Sequence, residues 1–465
     1  MSILQRPLDL VIVTETYPPE VNGVAMTIAR LVDGLRAAGH RVRIVRPRQP
    51  ADREDPGDAR ELLVRGLPLP GYAGLRFGLP AYARLSAAWR AARPDVVHVV
   101  TEGPLGAAAV SAARALGIPV TSGFHTNFDR YSRHYGFGFL QPLVAAYLRR
   151  FHRRTRLTLV PTAALADSLA SAGLPGVRVV GRGVDCTLFD PARRSHELRA
   201  TWGLAAPAEP VRPVVRAQAP AAGKAQGEFD LAPPLPAEAG SEGQAAAGGL
   251  VVLYVGRLAA EKNVELVLRA FAAIRAHRRD ARLVLVGDGP LRARLARNWA
   301  GEGAPGSSAS AAIHFAGQRC GEDLAAHYAS GDLFLFPSLT ETFGNVTQEA
   351  MASGLAVLAF RSAAAAELIV DGENGRTVAP GDEAAFIGAA VQLAKEDAIR
   401  RRLGRRARQC VRERDWSGVA AHFADTLRAA VVASVREPQG EFGSSGGKTG
   451  GESFALPPDR RQGEA

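Results

Sequence analysis

The chain has 465 residues, 47% of them apolar: too long for one compact core, and apolar enough for two. Its formal charge of +11 suits anionic partners, whether nucleic acid, an anionic membrane surface or an anionic small molecule. The three cysteines, Cys186, Cys320 and Cys410, are far apart and form no C-x-x-C pair, which argues against a disulfide framework or zinc cluster and for a reducing compartment.

The run Leu8–Thr14 reads as a strand, with no basic, apolar and cleavable leader ahead of it. No run of about 18 apolar residues occurs, so no membrane-spanning helix is expected. Helical periodicity over Val24–Ala38 stops at Gly39, a natural C-cap. Val42–Val45 and Asp95–Val100 read as strands, Gly103–Leu116 as a helix, and Pro119–Thr121 as the start of another strand. Leu157–Val160 leads to Thr162, an N-cap candidate for a helix through Ala172, and Val177–Val180 follows. Residues 205–249 are dominated by Ala, Pro, Gly and Gln without periodicity and read as a flexible insertion.

Alternation then resumes. Strands are expected at Leu250–Val255, Leu283–Val286, Ile313–Phe315, Leu333–Pro337 and Ala356–Ala359. Helices are expected at Val264–His277, Pro290–Trp299, Leu324–Ser330, Gly344–Ala352, Ala384–Lys395 and Ile399–Glu413, with a loop over 301–312. Apolar strands alternating with helices imply parallel sheets covered on both faces. The fold class is α/β, with one unit over 1–190, a linker and insertion over 191–249, a second unit over 250–414 and a disordered tail over 437–465. Ligands of such sheets bind at the carboxyl edges of the strands.

Four segments fall on those edges. In Ser338–Gly354 a strand is followed by a helix starting near Gly344. The N–H groups of Phe343, Gly344 and Asn345 then sit at a helix N-terminus, an anion site. Glu341 precedes it and Glu349 lies within it, roughly 12 Å further along the helix. Such carboxylates can hold hydroxyls at two ends of one ligand, although the spacing alone fits solvated surface glutamates as well. The second segment, Gly256-Arg-Leu-Ala-Ala-Glu-Lys262, offers Arg257 and Lys262 as a clamp for a diphosphate. The third is the loop Thr14–Gly23, where Gly23 permits close approach of a ligand or merely serves the turn. The fourth, Gly123–Asp129, carries His125, either a polar group of the cleft or a structural hydrogen-bonder.

Together these strings resemble the retaining glycosyltransferases of family 4, with the two-domain GT-B fold. They are Glu20-Val-Asn-Gly-Val, His125-Thr-Asn-Phe, Gly181-Arg-Gly-Val-Asp185, Gly256-Arg-Leu-Ala-Ala-Glu-Lys, Gly287-Asp-Gly-Pro290 and Glu341-x7-Glu349. The nearest likeness is to bacterial GDP-mannose-dependent α-mannosyltransferases and related glycolipid glycosyltransferases. The resemblance runs from near residue 10 to about 430 and leaves the insertion unmatched. It implies an acceptor-side first domain, a nucleotide-sugar-binding second domain, and a helix over 415–436 that crosses back to the first. It also implies that Glu341 holds hydroxyls of the transferred sugar beside the N–H groups of Phe343, Gly344 and Asn345, and that Glu349 holds the ribose. Arg257 and Lys262 would bind the diphosphate, Gly23 would let its loop close on the phosphates, and His125 would contact the sugar. Asp185 would support a hinge-side loop.

The implied reaction passes through an oxocarbenium-like state on one face of the sugar. The leaving phosphate takes the acceptor proton, and the protein supplies orientation and charge stabilisation. No Asp-x-Asp occurs, and with two cations in place of that metal-holding pattern, transfer without a metal or other cofactor is expected. The expected partners are a nucleotide-sugar donor and a lipid or glycan acceptor, with GDP-mannose first and a UDP-sugar second. Leu140–Arg156 reads as a basic amphipathic helix suited to an anionic membrane surface, or equally as a solvated basic face over a buried stripe. The expected location is cytoplasmic, with peripheral contact at the inner face of the plasma membrane. Rival readings are a sugar-nucleotide epimerase, a pyridoxal-phosphate phosphorylase of the same fold, and a nucleic-acid-binding protein. Lys262 is the sole lysine in a recognised motif, and the basic segments carry few aromatic stacking positions, so no nucleic-acid partner is expected.

Overall fold

The computed structural model describes residues 6–20, 22–50, 52, 60–68, 76–125, 141–204, 249–300 and 312–436. The 205–248 part of the insertion, the 301–311 loop, Val21, residues 126–140 and the tail from 437 lie outside them.

The first sheet is built from β1 (Asp9–Val13), β2 (Arg41–Pro47), β3 (Glu61–Val64), β6 (Val96–Val99), β7 (Val120–Gly123), β8 (Thr158–Val160) and β9 (Val177–Val179). All of its pairings are parallel, in the order β3-β2-β1-β6-β7-β8-β9. A small antiparallel pair, β4 (Gly66–Pro68) with β5 (Arg76–Gly78), stands apart. The second sheet uses β10 (Val251–Val255), β11 (Arg282–Val286), β12 (Ile313–Gly317), β13 (Leu333–Phe336), β14 (Ala356–Phe360) and β15 (Arg376–Val378). It is also parallel, in the order β12-β11-β10-β13-β14-β15. Runs such as Val-Val-Leu-Tyr-Val in β10 are buried along their whole length, as a sheet covered on both faces requires.

One face of the first sheet carries helix Gly23–Ala37 through Ile28, Leu31 and Leu35. The other carries helices Tyr82–Ala91 and Pro104–Ala115 through Leu85, Trp89, Leu105 and Val110. The final helix, Trp416–Arg436, returns from the second unit to lie beside Gly23–Ala37, and its Phe423 and Leu427 complete the first core. Each such buried side chain contributes about 1.5–3 kcal/mol.

The chain joins the second core earlier than composition suggests. Val184, Phe189, Trp202 and Leu204 all pack there. The stretch read as linker from 191 therefore holds helix His196–Thr201, pinned by ion pairs of Arg194 (2.6 Å) and Arg199 (3.0 Å) to Asp332. A six-residue helix shows no readable period, and its anchors find partners far along the chain in the second unit, at Asp332 and at the Ser330 and Gly249 carbonyls. Among the described residues no helix is long and apolar enough to cross a membrane.

The winding of each sheet reverses once, between β1 and β6 in the first and between β10 and β13 in the second. Those switch points, at the carboxyl ends of the strands, are where an open α/β sheet offers its ligand crevice.

Candidate functional site

At the second switch point the loops after β10 and β13 meet. The Leu339 N–H donates to the Glu261 carbonyl at 3.0 Å, and the Lys262 ammonium forms an ion pair with Glu341 Oε1. The Ser338 hydroxyl donates to that same oxygen at 2.8 Å. Both charged side chains are largely covered, at 17% and 14% exposed, so the pair sits on a shielded crevice floor. Arg257 lies beside them, 3.8 Å from Glu261, and its carbonyl accepts from the buried Tyr254 hydroxyl at 3.0 Å.

The Gly287-Asp-Gly-Pro290 string supports this loop from beneath. Leu258 N–H donates to the Asp288 carbonyl (2.9 Å), and Leu291 N–H donates back to Leu258 (3.0 Å). A Cβ at Gly287 would overlap the Gly256 carbonyl, and one at Gly289 would lie 2.5 Å from the Leu258 carbonyl. These glycines let two backbones touch under Arg257; they are packing residues rather than ligand contacts.

Gly344 takes φ +88°, a left-handed value that turns the chain into helix Asn345–Ala352 and leaves its first N–H groups facing outward from the helix end. Phe343 is buried and gives its carbonyl to Ala364 N–H at 2.8 Å, which locks the turn. Glu349 accepts from the buried Tyr328 hydroxyl at 2.9 Å. Burial pushes its carboxyl up to about 7, against the opposing pull of the Tyr328 hydrogen bond and of Arg30. The floor of the crevice thus carries a cation beside a carboxylate, a helix N-terminus, and a second carboxylate held separately.

The first domain closes over this floor. Thr342 Oγ1 donates to the His125 carbonyl (2.8 Å), Asn345 Nδ2 to Thr27 Oγ1 (3.2 Å) and Gln348 Nε2 to the Gly183 carbonyl (2.5 Å).

Comparison with known proteins decides what this architecture is. The Glycosyltransferase Family 4 profile matches residues 21–188, and the Glycosyl transferases group 1 profile matches residues 249–396. A GDP-mannose-dependent alpha-mannosyltransferase of Mycolicibacterium smegmatis is 33% identical, over 88% of this chain and 94% of that protein. The chain belongs to glycosyltransferase family 4. A second GDP-mannose-dependent alpha-mannosyltransferase, from Mycobacterium tuberculosis, is 32% identical over 87% of this chain and 92% of that protein. The sulfoquinovosyl transferase of Arabidopsis thaliana is 27% identical over 92% of this chain and 75% of its own length. Among solved structures, Anabaena HepE in complex with UDP superposes with a TM-score of 0.64 at 17% identity, covering 91% of this chain and all of that one. WaaG, a glycosyltransferase involved in lipopolysaccharide biosynthesis, gives 0.61 at 17% identity, over 90% of this chain and 99% of that one. The fold is that of GT-B glycosyltransferases, and the protein is a glycosyltransferase.

Within this family-4 fold the motif residues divide into those that face the crevice and those that shape it. Gly23 is exposed, and a Cβ there would meet nothing within 4 Å, so the first turn of its helix opens onto free space. Asn22 caps that helix by accepting from Val24 (3.1 Å) and Ala25 (2.9 Å) N–H groups, and Glu20 is held by Thr16 (2.6 Å) and Gln49 (2.5 Å). Asp185 accepts from Thr187 and Leu188 N–H groups and pairs with Arg30 at 3.2 Å, a loop-shaping role. The Asn345 side chain turns to Thr27 of the first domain.

Of the two sequence readings of His125, this structure shows the structural hydrogen-bonder. Its imidazole is buried, folded back over Gly123, and accepts from Arg182 Nη2 at 2.7 Å. It therefore does not point into the crevice in this structure. Motif position told of a strand end, whereas ring direction depends on Arg182, 57 residues away.

Two carboxylates at the first switch point carry no motif and escaped the sequence reading. Glu15, after β1, accepts from Leu105 N–H at 3.1 Å, and burial with Glu102 nearby raises it to about 7, against the pull of backbone hydrogen bonds. Glu102, after β6, is buried 3.4 Å from His152 Nε2. Beside them a cavity of about 650 Å³, lined mainly by Pro80, Tyr82, Pro104, Ala107, Ala108 and Tyr147, opens between helices Pro104–Ala115 and Gln141–His152. The latter helix buries Ala145, Leu148 and Phe151 and exposes Leu143, Tyr147 and Arg150. Arg153 and Arg154 bond to the Gly173 carbonyl and the Ser111 hydroxyl, both at 3.0 Å.

Proposed function

We propose that the protein transfers a hexosyl group with retention, mannosyl from GDP-mannose, to a lipid or glycan acceptor. The observation that carries this reading is the Lys262–Glu341 pair at the second switch point. When a glycosyl–phosphate bond loosens, positive charge grows on the sugar and negative charge on the diphosphate. A carboxylate and an ammonium side by side match that separation if the breaking bond lies over them. A preorganised pair of this kind stabilises the transition state more than the ground state. Arg257 and the N–H groups of Phe343, Gly344 and Asn345 add to the phosphate side. Glu349, a strong acceptor once ionised, suits the ribose hydroxyls. Gly23 leaves room for its loop to meet the phosphates. The leaving phosphate accepts the acceptor's proton, and Arg257 and Lys262 take the electrostatic role that a divalent metal holds elsewhere, so no cofactor is required.

GDP-mannose is favoured by likeness to relatives named for it at 33% and 32% identity. A UDP-sugar donor is the second reading; a solved neighbour of the same fold, Anabaena HepE, is in complex with UDP. An apolar cavity that begins at the first switch point, flanked by exposed Leu143 and Tyr147 and by Arg150, supports an acceptor with an apolar part presented at an anionic membrane surface on the cytoplasmic side. The test is a donor screen by thermal shift and hydrolysis. GDP-mannose is expected to stabilise the protein and to be turned over faster than UDP-sugars. Stabilisation by no nucleotide sugar overturns the reading.

A further inference from the structure

We infer that the first-domain cavity takes an amphiphile with an uncharged, hydroxyl-bearing head: Glu15 and Glu102 close its inner end to a phosphate or carboxylate head. That this amphiphile is the sugar acceptor rests on the reading proposed above; the preference of the cavity for an uncharged head does not.

The cavity runs along helix Pro104–Ala115 and has two unlike ends. The N-terminus of a helix ordinarily offers free N–H groups to an anion. Here all of them are taken. Pro104 has no N–H, Leu105 donates to Glu15 Oε1 at 3.1 Å, Gly106 is a second backbone donor to Glu15, and Ala107 donates to the Gly103 carbonyl at 2.9 Å. The Glu15 N–H is anchored on Thr101 Oγ1 at 3.0 Å, and its carboxylate packs so closely on Gly103 that a Cβ there would lie 2.1 Å from one of its oxygens. An anionic head therefore meets a carboxylate where it would need donors.

The second carboxylate belongs to a residue that lines the cavity. The Glu102 side chain is 3% exposed, and its Oε1 has no hydrogen-bond partner; His152 Nε2, 3.4 Å away, has none either. A buried acceptor atom calls for a donor. A hydroxyl supplies one, whereas an ionised phosphate or carboxylate brings acceptors only. Burial, and after it the charge of Glu102, raise Glu15 to about 7 against the pull of its backbone hydrogen bonds, the response of a group already crowded by negative charge.

The far end is opposite in sign. Two turns on, roughly 10 Å along the helix, the cavity reaches Ser111, whose hydroxyl accepts from Arg154 Nη2 at 3.0 Å, and Arg114 Nη1 donates to the Arg154 carbonyl at 3.1 Å. Pro80, Tyr82, Pro104, Ala107 and Ala108 wall the space between, and among the described residues that line it none is Lys, Arg or His. The cavity is thus acidic within, apolar along its length and basic at its outer end. An amphiphile fits with a neutral hydroxyl head inward and its chain along the wall. A phosphate-bearing head is drawn to the arginines and turned away from the carboxylates.

The experiment compares dioctanoylglycerol with dioctanoylphosphatidylglycerol, which has the same chains and free hydroxyls but an anionic head. Both compete with a fluorescent diacylglycerol for the full chain in neutral detergent micelles. The wild type is expected to bind dioctanoylglycerol about tenfold tighter or more. The Glu15→Gln/Glu102→Gln double variant should bind the anionic lipid about tenfold tighter than the wild type does, and the neutral one a few-fold weaker. A gain of this kind cannot come from a damaged fold. Ala107→Trp, which fills the cavity, should weaken both lipids about tenfold, with Ala107→Leu as a milder filler and the thermal shift with GDP as the check on folding. In transfer assays kcat/KM for the two lipids should follow the same order. A wild type that binds the anionic lipid as tightly as the neutral one overturns the inference. So does a double variant that keeps the wild-type ratio, or a folded Ala107→Trp protein that binds both lipids unchanged. A wild type that turns over no nucleotide sugar sinks the transfer reading, while the binding ratios still decide what the cavity selects.

Discussion

At the carboxyl edge of the second sheet opposite charges meet: Lys262 with Glu341, and Arg257 3.8 Å from Glu261. At the edge of the first sheet like meets like, or charge meets a neutral group: Glu15 faces Glu102, and Arg182 holds a neutral imidazole. The two sheets share one topology of parallel strands with a switch point, so the contrast lies in what the loops carry. Paired opposite charges are preorganised to exchange partners with a ligand that bears both signs, as a sugar diphosphate does at its breaking bond. Buried groups without an opposite charge at hand instead shift in protonation, as Glu15 does.

The largest effect expected from breaking this contrast is at the ion pair. Glu341→Ala or Lys262→Ala should slow transfer by about 100-fold or more, with Glu341→Ala leaving the donor KM within a few-fold. A single-turnover assay measures this, and a Glu341→Ala enzyme that keeps its rate would remove the pair from the mechanism. Next is Glu349. With its carboxyl near 7, wild-type donor KM should rise as pH falls through 7, because the protonated group loses its acceptor strength. Glu349→Gln should raise donor KM about tenfold at pH 8 and flatten that pH dependence.

The same shift has a stability consequence. A carboxyl raised in the folded state binds more protons there than in the unfolded chain, so stability falls as pH rises from about 4.5 to about 7. Glu349→Gln and Glu15→Gln should each weaken that decline, by up to about 3 kcal/mol at pH 8, in denaturant titrations. Only Glu349→Gln should change donor KM; an equal effect from Glu15→Gln would erase the distinction between the two edges. A Gly289→Ala change should lower stability by about 1–3 kcal/mol through overlap with the Leu258 carbonyl, with a few-fold loss of rate as Arg257 shifts. The smallest effect is expected from Thr342→Val, which removes one cross-domain hydrogen bond worth about 1 kcal/mol and should slow transfer only two- to threefold.

Much of the scaffold was legible in the chain. Buried runs such as Leu250–Val255 and Leu333–Phe336 are long, apolar and bounded by turns, so their strand character shows without context. Short elements were not: β3, β4, β5, β15 and helices Tyr82–Ala91, His196–Thr201 and Ala363–Leu368 depend on neighbours for their stability. The motif strings located loops but not the tasks within them. Gly287 and Gly289 support a neighbouring backbone, Asn345 turns to Thr27, and Glu15 and Glu102 matter only because β1 and β6 lie side by side.

Sequence alone determined two α/β units, their sheet type and which loops reach the crevice, because apolar periodicity and glycine placement are local properties of the chain. Only the tertiary structure decided that Lys262 meets Glu341 across 79 positions, that burial raises Glu349 against the pull of the Tyr328 hydrogen bond, and that Arg182 turns the His125 ring inward. Those outcomes depend on distance and dielectric between residues remote in sequence. Protonation, tautomer and ion pairing are properties of a packed neighbourhood, and no spacing along the chain encodes them.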